Sequence, residues 1–189
     1  MNDKLIIYQI LTRLFTNNNK YCVPNGTIEQ NGCGKMNDIT SHVLESIRSL
    51  GSTHVWYTGI IEHATKTDYS RFGIRPDNPY IVKGRAGSPY AIKDYYDIDP
   101  DLAVSVPDRM KEFEALVDRT HKAGLKVIID FVPNHVARQY HSDAAPAGVK
   151  DFSADDDTTK FFSQKTTYPA SRKTNSPRQS TWAKESRHT

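Results

Sequence analysis

The amino-acid sequence predicts an α/β protein with parallel strands. Two strand-like segments, Lys4–Ile10 and Thr53–Thr58, flank a stretch with helical spacing. Such a strand–helix–strand unit has the size that a parallel crossover needs. A second helical stretch leads directly into Leu125-Lys-Val-Ile-Ile-Asp-Phe-Val132. A near-continuous apolar run of that kind marks a strand covered on both faces of a parallel sheet. No apolar run approaches the roughly 18 to 20 residues that would span a bilayer, so a membrane-spanning chain is excluded.

Each element follows from its own residues. Lys4-Leu-Ile-Ile-Tyr-Gln-Ile10 is short, apolar and β-branched, as buried strands are. A polar loop runs from Thr16 to Asn37, with Gly26, Gly32 and Gly34. It holds both cysteines, Cys22 and Cys33, and a bridge and free thiols are both open readings. Asp38 is placed to cap a helix whose apolar stripe is Ile39, Val43, Ile47 and Leu50, ended by Gly51. Thr53–Thr58 is the second strand, with Trp56 expected in the core. Residues 59–107 form a long connection rich in Tyr, Asp, Pro and Gly, a length that points to function. Pro107 and Asp108 open the second helix, striped by Met110, Phe113, Leu116, Val117 and Thr120 and ended by Gly124.

Charge separates the chain into two parts. The 189 residues carry 25 Lys+Arg and 22 Asp+Glu, a net charge of +3. Residues 162–189 hold six basic residues and the single acid Glu185, a net +5, which leaves −2 for residues 1–161. The basic excess belongs to that tail, so no nucleic-acid partner is expected for the folded part. The tail has ten Ser/Thr and five apolar residues, with no helical or strand period. It cannot bury enough apolar area to offset its ordering entropy and is expected to be disordered. The N-terminus lacks a signal-peptide layout, so the chain as written is expected to be cytoplasmic, although a parent protein could be secreted.

The chemistry concentrates in Asp130-Phe-Val-Pro-Asn-His135, at the C-terminal end of the most apolar strand. In parallel α/β proteins, side chains there face the ligand crevice. Asp, Asn and His together can bind a sugar ring or a hard cation through oxygen. The plainer reading is that Asp130 and Asn134 cap turns at the strand end, and the functional reading is the favoured one. His54, His63 and His121 have no zinc spacing, so no zinc site is expected. Asp155-Asp-Asp157 reads as a solvated turn.

Asp130 to His135 resembles the first signature segment, Asp-x-x-x-Asn-His, of the α-amylase family of glycoside hydrolases. Four further segments resemble that family in the same order: Ile7–Ile10, Leu50–Tyr57, Ser88–Pro100 and Ala123–Asp130. The resemblance covers roughly residues 5–161. It implies the N-terminal portion of a (β/α)8 TIM barrel, about three β/α units, within residues 1–161. It implies that His135 and Tyr90 bind substrate, Tyr90 by stacking on a sugar face. It implies that Asn134 offers an oxygen to calcium and that Asp130 is structural at the strand end. Asp94 and Tyr95 match the family's segment without an assigned role. The implied substrate is an α-glucan, starch or a maltooligosaccharide, attacked by a retaining mechanism in the full-length enzyme.

Retaining hydrolysis needs two carboxyl groups about 5 Å apart. By the resemblance, the family's catalytic Asp, Glu and Asp follow later strands, so no residue here is assigned to catalysis and the chain alone is expected to be inactive. Eight β/α units typically need about 250 residues. The abrupt change of composition near residue 161 suggests that the reading frame slips there, or that the chain is a truncated copy. The alternative is a non-catalytic carbohydrate-binding protein using Tyr90, Trp56 and His135. A nucleotide-binding α/β domain would need a glycine-rich phosphate loop, and Gly32-Cys-Gly34 does not supply the pattern.

Overall fold

The structure is a computed structural model that describes residues 4–152, 154, 155, 157 and 159. The tail of residues 162–189, expected to be disordered, lies wholly outside the described residues. The elements run β1 (Ile7–Leu11), α1 (Thr12–Phe15), α2 (Ile28–Asn31), α3 (Ser41–Ser49), β2 (His54–Thr58), β3 (Ile61–His63), β4 (Ile92–Ile98), α4 (Arg109–Lys122) and β5 (Lys126–Ile129). Helices α1 and α2 are single turns.

Strands β1, β2 and β5 form one parallel sheet with β2 in the centre. Tyr8 pairs with Val55 and Ile10 with Tyr57, and Val55 pairs with Val127. Because side chains alternate along a strand, these residues share one face. That face packs on α3 and α4 through Leu44, Ile47 and Leu116, with Met36, Ile39 and Leu102 completing the core. The hydroxyls of Tyr57 and Thr120, both buried, lie 2.7 Å apart and tie β2 to α4. The opposite face carries Ile7, Trp56 and Ile128, which stay partly open.

Four expectations need correction. The cap of α3 is Thr40, whose hydroxyl accepts the Val43 N–H, while Asp38 lies in a preceding 3-10 turn, Met36–Asp38. The helix phase shifts with it: Leu44 and Ile47 are buried and Leu50 is 69% exposed. Strand β5 is not covered on both faces, since the helices lie on one side only; Lys126 and Ile129 are exposed. Trp56 is half-buried on that open face rather than in the core. Finally, the 59–107 connection contains an antiparallel pair, β3 with β4, with Ile61 opposite Ile98 and Glu62 opposite Asp94. Charged residues in both strands hide the alternation that would have marked them.

Both cysteines are free thiols, Cys22 exposed and Cys33 half-buried. Burial pushes the Cys33 thiol up to about 11, so it stays protonated at neutral pH.

Candidate active-site rim

The C-terminal ends of β2 and β5 are joined by Asp130. Its Oδ1 accepts the Trp56 indole N–H at 2.5 Å, and its Oδ2 accepts the Gly59 N–H at 3.3 Å. A half-buried indole N–H usually finds an acceptor, and the carboxylate one residue beyond β5 provides it. Above this clamp lies a hollow of about 350 Å³ whose lining includes Trp56, Ile128, Asp130, Phe131 and Tyr90. Tyr90 sits in the turn that leads into β4, its N–H directed at Ser88 Oγ 3.4 Å away, and the residue is 46% exposed. An exposed aromatic face over an apolar floor is suited to the C–H face of a sugar.

His135 and Asn134 are exposed on the loop after β5. His135 Nδ1 lies 2.9 Å from Asn134 Oδ1. With the amide so placed, the carbonyl accepts and Nδ1 carries the proton, which leaves Nε2 as an acceptor in the neutral ring. His135 lines a second hollow, of about 250 Å³, together with Ser88 and Ala137. The structure thus places Asp130 and Tyr90 on one hollow and His135 on another. Residues 88–90 contribute to both, through Ser88 and Tyr90.

The loop after β5 is held by residues to which no role was assigned. Asp94, fully buried, accepts at Oδ2 from Ser142 Oγ (2.8 Å), Asp143 N (2.9 Å) and Ala144 N (3.2 Å). The Tyr95 hydroxyl donates to the Val132 carbonyl, and its ring packs against Phe131, Tyr140 and Phe152. Ala137 N donates to the Ile92 carbonyl at 2.7 Å and His141 N to the Lys93 carbonyl at 3.1 Å. No local pattern marks Asp94 as buried: it lies in the stretch read as a long connection, and its donors come from a loop about 50 residues away.

Calcium is the metal that the resemblance implies. Asn134 offers one exposed oxygen, already shared with the His135 ring. Calcium takes 6–8 oxygens, so Asn134 with its described neighbours does not fit it. A three-carboxylate group does exist elsewhere: Glu62, Asp94 and Asp97 bring one oxygen each within 4.8 Å of one another, all buried. Cations already answer it. Arg109 grips both oxygens of Asp97, with Nε donating to Oδ1 at 2.8 Å. Lys93 Nζ lies 3.4 Å from Glu62 Oε1 and 3.6 Å from Asp77 Oδ2. Glu62 Oε2 has no hydrogen-bond partner, and burial pushes this carboxyl up to about 8. Sealed from solvent, these acids cannot reach a glycosidic bond.

Three comparisons place the chain among known proteins. The family model "Alpha amylase, catalytic domain" matches residues 9–188. Maltase 1 of Drosophila virilis is 28% identical over 151 residues, 78% of this chain and 18% of that protein. Trehalose-6-phosphate hydrolase of Bacillus subtilis is 30% identical, covering 72% of this chain and 18% of that protein. The mouse amino acid transporter heavy chain SLC3A1 is 30% identical over 71% of this chain and 14% of its own length. The chain therefore spans less than a fifth of the length of these relatives. A crystal structure of an α-amylase from Lactobacillus plantarum has a TM-score of 0.48 and 28% identity, over 71% of this chain and 24% of that one. The three parallel strands, with α3 and α4 on one face, form an N-terminal portion of a (β/α)8 barrel. With its catalytic-domain model matched over nearly the whole sequence, the chain belongs to the α-amylase family.

Proposed function

We propose that the chain supplies the sugar-contacting rim at the first strand ends of an α-glucan-active barrel. The observation that carries this reading is the hollow lined by Tyr90, Trp56 and Asp130, which runs over the open face of the sheet from Ile7 to the C-terminal end of β5. Strand ends of that kind are where barrels of this architecture hold ligands. Tyr90 stacks on the apolar face of a glucose ring, and Asp130 fixes the floor through Trp56. His135 accepts a sugar hydroxyl on Nε2. Asn134 orients the His135 ring.

A retaining glycosidase needs two solvent-facing carboxyl groups about 5 Å apart. Among the described residues one cluster of three acids occurs, Glu62, Asp94 and Asp97, and it is buried. Because the resemblance places the family's catalytic acids after later strands, the 189-residue chain is proposed to bind maltooligosaccharides without cleaving them. Retaining cleavage is proposed for the longer enzyme whose barrel it represents.

The test joins a binding titration to an activity assay on the same protein. Maltotriose should shift the Tyr90 and Trp56 resonances, and Tyr90→Ala should weaken binding about fivefold to tenfold. A chromogenic maltoside should release no product. Normal turnover would overturn the proposed inactivity; absence of maltotriose binding would overturn the substrate assignment.

A further inference from the structure

A third hollow in the described chain lies away from the β2 and β5 ends. It sits between the 16–35 loop and residues 66–68 and 85–86 of the long connection, with a volume of about 630 Å³. That is the size of a small-molecule site.

Its wall is built before any ligand arrives. Asn17 Nδ2 donates to the Asn31 carbonyl (3.0 Å), Asn19 Nδ2 to the Gln30 carbonyl (2.9 Å) and Asn31 Nδ2 to the Val23 carbonyl (3.0 Å). The three amide oxygens accept the backbone N–H groups of Asn19, Tyr21 and Val23. Arg85 Nε donates to the Asn25 carbonyl at 2.5 Å and fastens the connection to the loop. A pocket whose walls are already hydrogen-bonded loses little entropy when it is filled.

What remains free defines the ligand. The asparagines are used up by the loop, and Arg13 is held by Asp101 at 2.5 Å. Among the described residues, the terminal amino groups of Arg85 and the Lys66 ammonium have no hydrogen-bond partner in the protein, so both are open donors. Glu29 and Asp68 are exposed on the same hollow; Asp68 accepts the Ser70 N–H at 2.8 Å and Glu29 is bonded by Thr27, but a carboxylate has about four acceptor positions, so each keeps capacity for a ligand hydroxyl. Two positive and two negative charges cancel, which favours a neutral ligand over an anion or a cation. Tyr21 adds an aromatic ring that is 77% exposed. Donors and acceptors side by side, around an aromatic face, match a molecule that presents hydroxyls and an apolar ring face together.

We propose that this hollow is a second binding site for a neutral oligosaccharide, separate from the Tyr90 hollow. It rests on the reading that the chain meets α-glucans, and it adds a second point of attachment for one glucan strand. Two linked weak sites hold a polymer more firmly than either alone.

The test titrates the full chain with maltotriose and follows resonances at Tyr21, Lys66 and Arg85 separately from those at Tyr90 and Trp56. Two binding events are expected. Tyr21→Ala should weaken the first about fivefold and leave the second unchanged; Lys66→Gln should act in the same direction. Tyr90→Ala should do the converse. Tyr21 is exposed and Lys66 makes no side-chain bond, so neither variant endangers folding. If Tyr21→Ala and Lys66→Gln leave every sugar-induced shift unchanged, the second site is overturned while the Tyr90 reading stands. If inorganic phosphate shifts Lys66 and Arg85 and maltotriose does not, the hollow is an anion site and the proposal is wrong. If maltotriose moves Tyr21 but not Tyr90, the second site stands and the Tyr90 assignment falls.

Discussion

The Trp56 indole donates to Asp130 at 2.5 Å and so ties the end of the central strand to the end of its neighbour. Both residues also line the hollow under Tyr90. The floor of the candidate sugar site is therefore a long-range contact between residues 74 apart in sequence.

Breaking that clamp should cost stability and binding together. Asp130→Ala leaves the Trp56 and Gly59 donors unmatched and should destabilise by about 1–3 kcal/mol. Asp130→Asn keeps an acceptor for the indole and should recover part of the loss. Urea denaturation of the two variants measures the difference, and equal midpoints for Ala and Asn would show that the hydrogen bond is not what matters.

Stability should fall as pH rises. Burial pushes the Glu62 carboxyl up to about 8, against the pull of Lys93, and Asp97 and Asp94 push it further up. Burial also raises Asp99, whose Oδ2 lies 3.2 Å from His63 Nδ1 without hydrogen-bond alignment. The folded chain thus holds protons that the unfolded chain releases from about pH 4 upward. This stabilising contribution is complete below that range, and it is lost as pH climbs through the folded value of Glu62. Glu62→Gln should flatten the dependence between about pH 5 and 8 and be more stable than the parent at the upper end. An unaltered slope in E62Q would place the titrating group elsewhere.

Gly87 and Gly84 should respond differently to alanine. Both have positive φ, 70° and 68°. A Cβ on Gly87 would stand 1.7 Å from the Ala64 carbonyl oxygen, whereas one on Gly84 meets nothing within 4 Å. Gly84→Ala should cost only the left-handed penalty, about 1 kcal/mol. Gly87→Ala must also displace backbone next to the Tyr90 turn and should cost at least twice as much. Thermal denaturation of the pair decides it, and equal losses would contradict the close approach.

Asp94 should govern the 142–144 segment. Asp94→Ala removes the acceptor of four donors, the Tyr96 N–H and three from residues 142–144, so the 142–144 stretch should lose amide protection and become the preferred site of limited proteolysis. Protection unchanged from the parent would mean that Tyr95 and its aromatic neighbours hold the loop alone.

Calcium should not matter to the described fold. Asn134 presents one oxygen, and the buried acids are answered by Lys93 and Arg109. Chelator and added calcium should give the same unfolding midpoint; a rise with calcium would reveal ligands that this geometry does not supply.

Much of the scaffold could be read from local pattern. The β-branched runs ending at Ile10 and Thr58, the stripe through Leu116 and Thr120, and the run into Ile129 each carry their own period, and the structure forms β1, β2, α4 and β5 from them. The segment Asp130 to His135 likewise pointed to the strand end and to the family. Period does not state which partner a segment meets. Asp38 and Thr40 are both good caps, and the choice fell to the one whose hydroxyl reaches Val43 N while Ile39 and Leu44 enter the core. Glu62 and Asp94 looked like loop residues because their burial depends on Lys93, Arg109 and a loop some 50 residues away. The division of Tyr90 and His135 between two hollows depends in the same way on where the 88–90 turn crosses the β5 exit. Local sequence encodes an element's type through steric and hydrophobic periodicity. Its register, its neighbours and the cancelling of its buried charges come from contacts that exist only after the chain has packed.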